Sequence, residues 1–65
     1  MSKVINEFHV DKYAVLILDN MPDRDYHRFV IREKEYTPVP IFDSKNCVAV
    51  ESNESFIGET IEFLN

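Results

Sequence analysis

The strongest constraint in this chain is the run Tyr13-Ala14-Val15-Leu16-Ile17-Leu18, six consecutive apolar residues. It is short for a helix, since helices average about three turns, and far below the roughly 20 apolar residues that cross a bilayer. It is apolar on both parities and contains Tyr13, Val15 and Ile17, residue types that favour strands. Such a run reads as a central strand buried on both faces, or as a barrel strand whose outer face is covered.

The flanking segments read as further strands. From Val4 to Val10 the alternation is partial: Val4, Phe8 and Val10 share a parity interrupted by Asn6, and Glu7 and His9 take the other with Ile5. Asp11-Lys12 is a short polar turn, although it lacks the Gly that two-residue hairpins prefer. Asp19 to Asp25 is dense in turn formers, and Pro22 cannot donate a ladder hydrogen bond. Tyr26 to Arg32 is a third strand, with His27, Phe29 and Ile31 on one face and Tyr26, Arg28, Val30 and Arg32 on the other. Glu33-Lys34 is the next turn. In Glu35 to Phe42, Pro38 and Pro40 strip donors from one side, which implies an edge strand or an extended segment outside the ladder. Asp43 to Asn46 turns the chain into a fifth strand, Cys47 to Glu51.

The last segment admits two readings. As a helix over residues 54–64, it places Ile57, Ile61 and Leu64 at i, i+4 and i+7. As a turn at Phe56 to Gly58 followed by a strand from Glu59 to Leu64, it avoids a helix-interior Gly, which costs roughly 0.5–1 kcal/mol relative to Ala. The strand is favoured. The expected fold is therefore mainly β: one domain over residues 1–65, a small five- to six-stranded antiparallel barrel or rolled sheet. The alternative is an α+β fold with a C-terminal helix over residues 54–64.

Seven Lys/Arg against twelve Asp/Glu give a net charge of −5, and the excess is uneven. Residues 1–42 carry −1 and residues 43–65 carry −4, with Lys45 set against Asp43, Glu51, Glu54, Glu59 and Glu62. Nucleic-acid binders draw most of their affinity from a basic face. Here Lys3, Lys12, Arg24, Arg28, Arg32, Lys34 and Lys45 are scattered, so nucleic acid and anionic membranes are disfavoured. The N-terminus shows no apolar signal region and neither end carries a lipidation motif. The single cysteine, Cys47, excludes an internal disulfide and points to the cytoplasm.

No constellation of catalytic residues stands out. His9, His27 and Cys47 would make a three-ligand zinc site only if the fold brought them together, and none shows local ligand spacing. Cys47 heads an apolar run and is expected as a core thiol rather than a nucleophile. Asp19, Asp23 and Asp25 resemble a calcium loop only loosely, lacking its Gly and distal Glu. A single Gly in the chain rules out a Gly-rich phosphate loop. Tyr26, Tyr36, Phe42 and Phe56 beside Arg24, Arg28 and Arg32 would suit a binding patch, but a small core needs such rings to plug its own open ends.

The function expected from sequence is that of a small non-catalytic cytoplasmic protein without metal or cofactor. It acts as an interaction or regulatory module through an acidic surface, of a size and charge typical of phage and mobile-element proteins. The residues expected to carry it are Asp19, Asp23, Asp25, Glu51, Glu54, Glu59 and Glu62, facing a partner with a basic surface. The alternatives are a homo-oligomeric assembly subunit, a homodimer pairing through a strand edge, and a nucleic-acid-binding β-barrel using Arg28, Arg32 and Lys34.

Overall fold

A computed structural model describes residues 2–21, 26–40 and 46–64. They form six antiparallel strands in one sheet, and no helix: β1 (Ser2–Val10), β2 (Tyr13–Leu18), β3 (Arg28–Ile31), β4 (Lys34–Tyr36), β5 (Cys47–Glu51) and β6 (Thr60–Leu64). The order across the sheet is β4-β3-β6-β1-β2-β5. Among the described residues, no ladder closes the sheet. Its two edge strands are nevertheless linked, because the chain leaving β4 donates from Val39 N to Ala49 O of β5 at 2.8 Å. The result is a rolled, barrel-like sheet, and the C-terminal segment is a strand rather than a helix.

The β2 run behaves as its composition demands. Ala14, Leu16 and Leu18 face the core with Val4, Phe29, Ile31, Val48, Val50, Phe56 and Ile61. Val15 points the other way and is still buried, lying between Phe8 and Ala49, its partners on β1 and β5. Tyr26, Tyr36 and Phe63 pack against the core cluster. The rings of Tyr26 and Phe63 are 4.6 Å apart and those of Tyr36 and Phe56 are 5.6 Å apart. Three of the four aromatic residues singled out in the sequence thus fill the molecule's own interior. Phe42 lies outside the described residues.

Several expectations are corrected. Val4, Phe8 and Val10 do not share a face. The β1–β2 register passes from Val4↔Leu18 to Asn6↔Ile17, leaving Ile5 as an extra residue. A bulge of this kind reverses side-chain parity beyond it. Val4 is therefore buried while Phe8 and Val10 are 43% and 38% exposed, and Glu7 is turned to the inner face opposite Leu16. The β3–β4 turn is Arg32-Glu33, not Glu33-Lys34, and Lys34 opens β4. Both turn residues have positive φ, 55° and 64°, the pairing that a two-residue hairpin requires. The β1–β2 hairpin also closes without Gly, by placing Asp11 at φ 54°. Pro38 and Pro40 lie outside any strand. Cys47 is half-buried on the face opposite Val48 and Val50 rather than in the core.

Candidate functional site

The polar side chains of the described residues converge most densely where β1 meets the loop between β5 and β6. Two local features build this place. The bulge at Ile5 turns Glu7 inward, and residues Phe56 to Glu59 fold back on β1 as a tight turn. Glu59 N donates to Phe56 O at 3.0 Å, and Gly58 stands at φ 87°, the third-position conformation of a type II turn. The turn is joined to β1 through Gly58 N to Val4 O (2.8 Å) and Val4 N to Glu59 O (2.9 Å).

Against this turn lies the Glu7 carboxylate, whose side chain is only 5% exposed. Its Oε1 accepts from Phe56 N at 2.6 Å, Ile57 N at 2.9 Å and Ser55 Oγ at 3.0 Å. Its Oε2 accepts from His9 Nε2 at 2.7 Å. Burial is the largest single influence on this carboxyl and would raise its pKa. The bonds from Phe56, His9, Ser55 and Ile57 together outweigh burial and hold Glu7 below its ordinary value.

On the other side the loop is clamped by Arg32, from the β3–β4 turn. Its Nη2 donates to Ser55 O at 2.7 Å, its Nε lies 2.9 Å from Glu59 Oε2, and its Nη1 lies 3.7 Å from Glu54 Oε1. The guanidinium also rests 5.4 Å from the centre of the Phe56 ring. Phe56 itself is fully buried, so the loop acts as a lid on the core with one charge-assisted fastening on each side.

Among the described residues, the acidic side chains singled out in the sequence lie at several places on the sheet. Glu54 and Glu59 gather around Arg32. Glu51 lies at the end of β5, opposite Tyr13 and 4.0 Å from Lys12 Nζ. Glu62 is exposed on β6, paired with Val30. Asp19 is exposed after β2, its Oδ1 accepting from Lys3 N at 2.9 Å. Asp23 and Asp25 lie outside the described residues. The three zinc-ligand candidates are separated as well. His9 faces Ala14 and Cys47 faces Ile17, roughly 10 Å apart along β2 at the rise of a strand. His27 precedes β3, its N–H donating to Leu64 O.

Sequence reading passed over Glu7, the most heavily bonded carboxylate among the described residues. The available signal was a strand bearing Glu7 and His9 at i and i+2, so on one face, in an otherwise apolar setting. Its meaning depended on the bulge. Comparison with protein-family models, curated proteins and solved structures finds no match to this chain.

Proposed function

We propose that this chain is a non-catalytic, cytoplasmic protein-interaction module that docks a basic partner through carboxylates left without cations. The observation that carries this reading is the internal use of the cationic side chains. Arg32 is held by Glu54, Glu59 and the Ser55 carbonyl, Arg28 by Glu35, and Lys12 lies over Tyr13 within reach of Glu51. With those charges paired at close range, the field felt by an approaching partner is dominated by the remaining excess of the −5 total. The same pairing weakens the nucleic-acid alternative, since Arg28 and Arg32 are already engaged. The test is a titration of the labelled protein with a lysine-rich peptide, followed by NMR at low and moderate salt. Salt-sensitive shifts confined to Glu62 and its neighbours support a docking surface. Shifts spread evenly over every carboxylate, or tighter binding of a single-stranded oligonucleotide, would overturn it.

A second reading is favoured by one feature of the sheet. β5 is an edge strand, and its outer side receives Val39 N at Ala49 O. Next to it, the outward face of β1 and β2 carries the exposed Phe8 and Val10. Pairing of β5 with a second copy would extend the sheet and bury that face, as a small assembly subunit requires. Sedimentation equilibrium across a hundredfold concentration range decides it: a constant monomer mass eliminates self-assembly.

A further inference from the structure

We propose that Glu7 is an acid-operated latch: protonation of its carboxyl releases the segment Ser52 to Ile57 from β1 while the six-stranded sheet stays paired. The geometry places one carboxylate at the meeting point of three donors from the loop and one from β1. An ionised carboxylate offers about four acceptor sites, all oxygens and no hydrogen. Once protonated, one oxygen becomes a donor and the other a weaker acceptor. If the proton sits on Oε2, it faces His9 Nε2, which then has a donor where it had an acceptor. If it sits on Oε1, it opposes the Phe56 and Ile57 amides directly. With the proton on Oε1 at least one loop donor loses its acceptor; with it on Oε2 the His9 bond is lost and Oε1 becomes a weaker acceptor for all three loop donors.

The other charged and titratable groups that face the loop come from β1, from the β3–β4 turn and from the loop itself. His9 is the ionisable neighbour on β1 itself, and the β2 residues opposite Glu7 and His9 are Leu16 and Ala14. From the β3–β4 turn comes Arg32, whose partners on the loop are Glu54 and Glu59. The hydrogen bonds that join β1 to the end of the turn, Gly58 N to Val4 O and Val4 N to Glu59 O, involve no ionisable group. They keep β6 in register, so opening stops short of the sheet.

Because Glu7 is held below its ordinary value of 4.5, the latch energy is fully present above that value. It is lost as pH falls through the lower pKa of the folded state. The expected sequence on acidification is loop opening first and sheet unfolding later. Amide hydrogen exchange by NMR, corrected for intrinsic rates, tests this between about pH 6 and pH 3. Phe56 and Ile57 should lose about tenfold of their protection, the scale set by leaving one donor without its acceptor. Val15, Leu16 and Phe29 should keep theirs. In Glu7→Gln the protection of Phe56 and Ile57 should no longer change over that range. The Glu7 side-chain carboxyl signal of the unaltered protein supplies a measurement independent of that variant's folding: it should titrate with the same midpoint as the two amides. Simultaneous loss of protection in loop and sheet overturns the proposal, as does a Glu7 midpoint different from that of the amides.

Discussion

Among the described residues, four non-glycine residues stand at positive φ: Asp11, Arg32, Glu33 and Asn46. Left-handed backbone costs an ordinary L-residue roughly 1–2 kcal/mol. Glu33 occupies the second central position of its hairpin turn, where Gly is strongly preferred. Glu33→Gly should therefore stabilise the protein by about 1 kcal/mol, read as a higher urea midpoint with unchanged slope. Gly58 presents the reverse case. A Cβ there would meet nothing within 4 Å, so the need for glycine is conformational rather than steric. Gly58→Ala should lower stability by about 1 kcal/mol, whereas D-alanine introduced by chemical synthesis should be tolerated. A loss with both enantiomers would show that space, not φ, governs the site. Tyr26, packed on Phe63, has its phenol pKa raised above 10.0 by burial. Its neutral form is favoured by folding, so that contribution is complete below pH 10 and disappears as pH rises through the folded-state value. Ultraviolet titration should show one phenol ionising later than the others, absent in Tyr26→Phe.

At the scale of elements, the β1 bulge and the segment after β4 shape the sheet most. One extra residue at Ile5 turns Glu7 toward the loop and Phe8 toward the outside. The sequence hinted at this, since apolar parity breaks at Asn6, yet alternation cannot tell a bulge from an imperfect strand. The Pro38-Val39-Pro40 segment is better marked. Its prolines implied an edge strand or an extended segment outside the ladder; the structure shows the latter, and Val39 supplies the donor between them. Val39→Pro removes that hydrogen bond and should cost about 1 kcal/mol. If β5 pairs with a second copy, the same variant should also raise the sedimentation mass, because the edge is then uncovered. An unchanged mass with the stability loss would leave the bond a purely internal fastening.

For the molecule as a whole, stability is narrow. A chain of 65 residues has about 3–10 kcal/mol to lose at typical values per residue. Phe29 is fully buried, stacked near Tyr36 and meeting Phe63 edge-on. Phe29→Ala should cost about 3–5 kcal/mol, enough to leave much of the population unfolded at room temperature by circular dichroism. Retention of a cooperative transition near the original temperature would show that the core repacks around the loss. The surface follows different rules. The exposed ion pair of Arg28 with Glu35 contributes little to stability, and the weight of these pairs lies in how they shape the external field.

What the sequence determined by itself was the class of fold. Period-two patterning, an apolar six-residue run, prolines at an edge and a glycine that disfavours a helix are local facts, and local chemistry suffices to choose strands and turns. Strand order, the reversal of parity at Ile5 and the meeting of Glu7 with Ser55, Phe56 and Ile57 were decided only in three dimensions. Glu7 is separated from that loop by about fifty residues of sequence. A contact over that separation depends on how strands pair across the sheet, and no pattern within a single segment records it.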